Sequence, residues 1–253
     1  MRVAIHQPTF FPWIGLFHKI LHSDVFIFFD HVQNPRGKSW LTRNKILLDD
    51  VHWITIPTHK SGLGMQPISE VRINYEHNFT RKHLGMLRSA YEKSPYYAEN
   101  IEAITSLYAE KRDLLCDFNR SFIESTCTAL GIKSIFMSSR DIVAEHPELA
   151  TLAGNELVLE LCRAARASEY LSGSGCLDFI KPESFEQNGI AFYFQHFEYA
   201  PYAQPGSPEF VSHLSCLDTL FSIGKAGAAA LIAPPMLSRP VPPEQTHAAP
   251  EAA

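Results

Sequence analysis

A histidine closes the first apolar run of the chain: Arg2 to His6 reads RVAIH, and Gln7 to Pro12 forms a segment ending in Pro and opening before another. Imidazole titrates near neutrality, so His6 at a strand end can take a proton as a general base. Gln7 beside it can orient a substrate amide or hydroxyl. The competing reading is a His that hydrogen-bonds backbone and closes the turn. Asp30-His31-x-Gln33 repeats the pattern after a second apolar run, DVFIFF. Asp30 is a candidate base or orienter and Gln33 a candidate binding residue. A carboxylate beside an imidazole is also half a metal site. Neighbours on a strand point to opposite faces, so the pair need not converge. No further ligands can be nominated, and no metal is expected.

Phe10, Pro12, Trp13 and Gly15 lead from the first loop into Ile14 to Leu21, whose apolar spacing is helical and which carries Lys19. Backbone N–H groups at a helix start favour anions, so Phe10, Trp13, Gly15 and Lys19 are candidate binding residues. Aromatic core packing is the other use of Phe10, Phe11 and Trp13. From Arg36 to Lys45 the chain carries four positive and no negative charges in ten residues, around Trp40, Arg43 and Asn44. Such a run is commonly a solvated loop, but guanidinium and indole together suit a ligand phosphate. It also suits an acidic carrier protein. Ser172-Gly-Ser174-Gly-Cys176-x-Asp178 is a glycine-rich loop able to cradle an anion. It is neither a Walker loop nor a nucleophile elbow. Ser172, Ser174 and Asp178 are read as binding residues, with Cys176 as the alternative nucleophile. Tyr199, Tyr202 and Gln204, and Lys82 and His83, are lesser site candidates. Asn119 and the run His213 to Asp218 read as packing and capping.

The elements that position these residues alternate. Strands are expected at Arg2–His6, Asp24–Phe29, Val51–Pro57, Ser134–Ser138, Ser168–Ser172 and Ile190–Gln195, with a further short one at 68–73. Helices are expected at Ile14–Leu21, across 80–130 with a break near Ser94-Pro95, at Leu152–Ala167, and at Phe210–Phe221. Continuous apolar strands separated by helices predict an α/β fold with a largely parallel, Rossmann-like sheet and a helical middle segment. One α/β domain over residues 1–225 is expected, with 80–130 as a helical subdomain. A Pro/Ala-rich disordered tail is expected over 226–253, where six of the 17 prolines fall between Pro234 and Pro250.

The 253 residues carry 45% hydrophobic content, enough for a sizeable core, and a formal net charge of −5. An acidic chain is a poor general nucleic-acid binder. No apolar run is long enough to span a membrane, and no signal-peptide pattern opens the sequence, so a cytoplasmic location is expected. The five cysteines are dispersed and odd in number, which speaks against a disulfide framework or a zinc ribbon.

Four ordered blocks carry a resemblance: AIHQPTFFPWIGLFHKI, then DVFIFFDHVQ with SWLTRNKI, then YLSGSGCLDFI, then FVSHLSCLDTLFSIG. Together they resemble the WbqC-like family over about residues 1 to 224. The family takes its name from a protein of O-antigen gene clusters. The resemblance implies an enzyme or accessory protein of surface-polysaccharide or secondary-metabolite assembly. Transfer of an acyl or aminoacyl group to the amine of a sugar or similar small molecule follows as the expected transferase activity. Its implied partners are a small-molecule substrate such as a nucleotide sugar and an acyl carrier protein; the cofactor is left open. The first loop is also similar to that of nucleotidylyltransferases, but Trp13 and Leu16 stand where their two histidines would be, which weakens a nucleotidyl-transfer reading. A non-catalytic scaffold of a biosynthetic complex is the third alternative.

Overall fold

The computed structural model describes residues 1–59, 65–176, 179–198, 200–235 and 237–239, with Ser174 described in its backbone only. Sixteen helices and strands follow in chain order: β1 (Arg2–His6), α1 (Ile14–Leu21), β2 (Val25–Phe28), β3 (Arg43–Leu48), β4 (Asp50–Thr55), α2 (Phe79–Tyr91), α3 (Tyr97–Ala109), α4 (Leu115–Ala129), β5 (Ile135–Ser138), α5 (Ser139–Glu145), α6 (Gly154–Ala164), β6 (Glu169–Ser172), α7 (Pro182–Gln187), β7 (Ala191–Gln195), α8 (Cys216–Ile232) and β8 (Leu237–Ser238). The main sheet runs β5-β2-β1-β6-β7-β8; all its pairings are parallel except β7 with β8. This is the α/β architecture expected from the alternating pattern.

Strand periodicity divides the interior into two cores. Ala4, Phe26, Phe28 and Leu171 face one way and pack with α1, the middle helices and α8. Val3, Ile5, Val25, Ile27, Tyr170 and Phe192 face the other way and pack with α5, α6 and α7. Both faces of the parallel strands are therefore apolar, which is why DVFIFF shows no alternation. Burying each of these large side chains contributes about 1.5–3 kcal/mol.

Helices α2, α3 and α4 contribute Leu87, Ile104 and Phe118 to the same core as β1 and α1, so the middle segment is a layer on one face of the sheet. The segment 68–73 holds a 3₁₀ turn, Ile68–Glu70, with isolated bridges beside it instead of a strand. The helix expected over 210–221 begins only at Cys216, capped by the Ser215 hydroxyl, which accepts from Leu217 N at 3.3 Å. That helix continues to Ile232, past a kink at Gly224, where the aromatic ring of Tyr96 leaves no room for a Cβ and φ is 68°. Part of the segment read as a tail therefore belongs to the fold: α8 and β8 occupy much of 226–238, while 240–253 lie outside the described residues.

The largest departure concerns the cationic run. Arg43–Leu48 is a strand, paired antiparallel with Asp50–Thr55 in a separate hairpin. One face of it, Asn44, Ile46 and Ile54, is buried in the core. Its other face presents Arg43, Lys45 and the cross-strand Trp53.

Candidate functional site

In this sheet the chain leaves β1 for β2 on one side and returns after β5 to place β6 on the other. The carboxyl ends of β1 and β6 thus flank the topological switch point, where open α/β sheets bind ligands. His6 ends β1 on the face of Ala4. It lines a cavity of about 260 Å³ together with Thr9, Pro12, Trp13, Trp40, Asn44 and His213.

His6 is half-buried, and its Nδ1 donates to the Gln7 carbonyl at 2.8 Å. A carbonyl can only accept, so Nδ1 holds the proton and Nε2 keeps its lone pair. Desolvation, reinforced by the nearby Lys19 ammonium, lowers the His6 pKa to about 4. His6 is therefore a neutral acceptor at neutral pH. Lys19 is itself buried under the loop, donating from Nζ to the Ile5 carbonyl at 2.9 Å, and desolvation lowers its pKa to about 8. Its Nζ lies 3.8 Å from where a Cβ on Gly173 would stand, which places it beneath the start of the loop after β6. Ser172 is fully buried, with its hydroxyl turned to the Gly173 carbonyl at 3.3 Å. Asp178 and Tyr199 lie outside the described residues.

The loop between β1 and α1 is held by amides. Asn44 Nδ2 donates to the Phe11 carbonyl at 2.7 Å and to that of Phe10 at 3.3 Å, while its Oδ1 accepts from Lys45 N at 2.8 Å. Asn119 Nδ2 clamps the Pro8 and Leu41 carbonyls at 2.8 and 2.9 Å. Between these clamps Phe11 is held at φ 39°, a strained conformation for a bulky residue. Phe10 and Phe11 are fully buried and pack on Phe118 and Phe122, so their rings belong to the core. Trp13 instead faces the cavity, stacked on His213 with centroids 5.3 Å apart and edge-on to Phe197. A Cβ on Gly15 would stand 2.4 Å from the Trp13 ring, which explains glycine there.

The remaining sequence candidates do not line the His6 cavity. Asp30 is fully buried. Its carboxylate accepts from the Ser138 hydroxyl at 2.8 Å, the Ser139 hydroxyl at 3.1 Å and Arg140 N at 3.0 Å, and from the Cys116 thiol. It ties the end of β2 to β5 and α5. Ser139 also meets His31 Nδ1 at 2.7 Å. Gln33 bridges to Pro67 and lines a different cavity with Arg36 and Thr42. Tyr202 donates to Asp218 at 2.8 Å, and Gln204 does so at 2.7 Å, beneath the start of α8. His83 is buried; its Nε2 donates to the Thr55 carbonyl at 3.0 Å and its Nδ1 accepts from the Tyr108 hydroxyl at 2.8 Å. No cluster of three or more His, Cys, Asp or Glu able to hold a metal ion occurs among the described residues.

Sequence reasoning passed over Thr9, Trp53 and His213. His213 reads as a capping residue beside Ser215. Its place in the cavity comes from a left-handed backbone, φ 59°, and from two bonds that pin the next residues: Ser215 N to the Lys45 carbonyl and Cys216 N to the Pro12 carbonyl, each 2.8 Å.

The blocks that meet here, at His6–Gly15, Trp40–Asn44 and His213–Ser215, all fall within residues 7–230 apart from His6, and that span matches the model of the WbqC-like protein family. The chain belongs to the WbqC-like family. It is also similar to the uncharacterized protein Rv1507c of Mycobacterium tuberculosis, at 30% identity over 226 residues, which cover 88% of this chain and 94% of that one. No solved structure matches the chain. Within this WbqC-like protein, no helix among the described residues is long and apolar enough to cross a membrane.

Proposed function

We propose that the protein is a group transferase that moves an acyl or aminoacyl group onto the amine of a sugar-like small molecule held in the His6 cavity. The observation that carries this reading is the neutral His6 imidazole, its Nδ1–H committed to Gln7 and its Nε2 left as an acceptor beside two indoles. Trp13 and Trp40 line the cavity and give a pyranose ring apolar walls. The volume, about 260 Å³, suits a monosaccharide-sized group.

The chemistry follows from the protonation states. The amine loses one proton to solvent on binding beside Lys19, whose charge disfavours a second cation nearby. The neutral nitrogen attacks the carbonyl carbon of a thioester donor, forming the C–N bond and a tetrahedral oxyanion. As that bond forms, the nitrogen becomes acidic, so a weak base suffices to receive its remaining excess proton; His6 Nε2 fills that role. Collapse expels the thiolate, which recovers the proton from His6. Amide and thiol are the products, and no covalent enzyme intermediate is required.

The test is His6→Ala assayed by mass spectrometry with acyl thioesters and amino-sugar nucleotides. A rate loss of about 100-fold with the fold intact is expected for loss of a general base. A loss below about tenfold would remove His6 from that role.

A further inference from the structure

The hairpin beside the cavity carries an exposed arrangement that the transfer chemistry leaves unused. Trp40 and Trp53 are 49% and 38% exposed, with ring centroids 5.3 Å apart. Trp40 lines the His6 cavity; Trp53 lines a second cavity of about 370 Å³ with His77, Asn78 and Lys82. The two indoles therefore form the ridge between two hollows. Both cations of the ridge lie on them. The Arg43 guanidinium carbon sits 3.8 Å from the Trp53 centroid, and Lys45 Nζ lies 5.5 Å from Trp53 and 5.9 Å from Trp40. Among the described residues neither cation has a carboxylate in ion-pair range, whereas Arg72, Arg88, Arg120 and Arg163 do.

Two cations held by ring faces, without counter-charge, on a chain of net charge −5 are a local reversal of the protein's own sign. A guanidinium held over an indole keeps N–H groups that can fork onto phosphate oxygens. The hollows on either side take rings, one sugar-sized and one lined by an indole, an amide and a lysine. We propose that Arg43 and Lys45 on the Trp40–Trp53 ridge bind the diphosphate of a nucleoside-diphosphate sugar, with the sugar in the His6 cavity and the nucleoside in the cavity of Trp53, Asn78 and Lys82. This assignment rests on the transferase reading for the sugar's place and adds where the acceptor's diphosphate and nucleoside are held.

All three tryptophans of the chain, Trp13, Trp40 and Trp53, border these two cavities, so intrinsic fluorescence reports on the site. The experiment titrates UDP, GDP and dTDP into the full-length protein, with the bare nucleosides and inorganic diphosphate as comparisons, and repeats this by calorimetry. At least one nucleoside diphosphate should bind more tightly than both of its halves. Arg43→Ala with Lys45→Ala should weaken it about 100-fold, at about tenfold per lost charged contact. Trp53→Phe should remove most of the fluorescence change. Circular dichroism and Arg43→Gln guard against a folding defect. The proposal is overturned if no nucleoside diphosphate binds at millimolar concentration, if the double variant binds it equally well, or if the ridge instead captures only an acidic carrier protein. Failure of the transferase reading is a separate result: nucleotide binding lost in the double variant, with no acyl transfer to any amine, would sink that reading and leave the diphosphate site standing.

Discussion

Asn44 offers the sharpest test of how the site is built, because its side-chain amide is wholly committed to protein. Both N–H bonds go to the loop, at 2.7 Å to Phe11 and 3.3 Å to Phe10, and its oxygen accepts from Lys45 N. Asn44→Ala leaves the buried Phe11 carbonyl without its good partner, at a cost of about 1–3 kcal/mol. The 3.3 Å bond is long enough to add little, and Lys45 N is near enough to solvent to find water. The expected net loss is about 1–3 kcal/mol, which at about 2–4 °C per kcal/mol for a chain of this size lowers Tm by roughly 2–12 °C. Thermal and urea unfolding measure it. Tryptophan emission measures the local consequence, since Trp13 should shift as the loop relaxes. Asn44→Asp should be worse than alanine, because it turns a carboxylate onto two carbonyl oxygens. A variant within about 0.5 kcal/mol of wild type, with unchanged emission, would show that the loop holds its shape without the amide.

Three further outcomes follow. Asp30→Asn should destabilise the protein by about 3 kcal/mol in urea unfolding, since one carboxylate oxygen that accepts from Ser138, Ser139 and Arg140 becomes a donor, and residual transfer activity should scale with the folded fraction. His6, His18 and His83 have pKa values lowered by burial to about 4 from 6.5, so the unfolded chain binds more protons between those values. Stability should therefore be level above about pH 7 and fall as pH drops from 6.5 toward 4, with His83→Gln reducing the slope by about one proton. Burial raises the thiol pKa of Cys116 to about 12 and raises those of Cys127, Cys162 and Cys216. Native protein treated with a thiol reagent should accordingly modify Cys176, the half-buried one, long before the other four, as peptide mapping would show.

The parallel sheet was readable because VAI, VFIF and FYF are apolar on both faces, a pattern that surface strands do not show. The turn at His6-Gln7-Pro8 and its place at a strand end were readable for the same reason. Strand β3 was not, since Arg43 and Lys45 disguise a strand whose buried face is only Asn44 and Ile46. The pairing that explains those charges involves Trp53 across the hairpin, a relation fixed by register and invisible in local composition. Asp30 looked like chemistry in sequence because the serines that saturate it arrive more than a hundred residues later. Lys19 was picked out beside an anion-seeking loop, but its burial and its bond to Ile5 depend on how α1 lies against β1. Residues that touch through backbone pinning, such as His213 and Trp13, leave no spacing signal at all.

The two-residue strand β8 has a consequence for how this molecule coexists with copies of itself. It pairs Leu237 and Ser238 with Gln195 and Phe194, and two histidines, His18 in α1 and His22 just after it, hold the chain leading to it: His18 Nε2 donates to the Pro234 carbonyl at 2.9 Å and His22 Nε2 meets the Ile232 carbonyl at 3.2 Å. Without this clasp, β7 would offer unpaired backbone groups along an apolar strand to any neighbouring molecule. The last described stretch thus acts as a guard against edge-to-edge association, fastened by two imidazole N–H donors. An imidazolium still donates from Nε2, so the guard keeps both fastenings as pH falls.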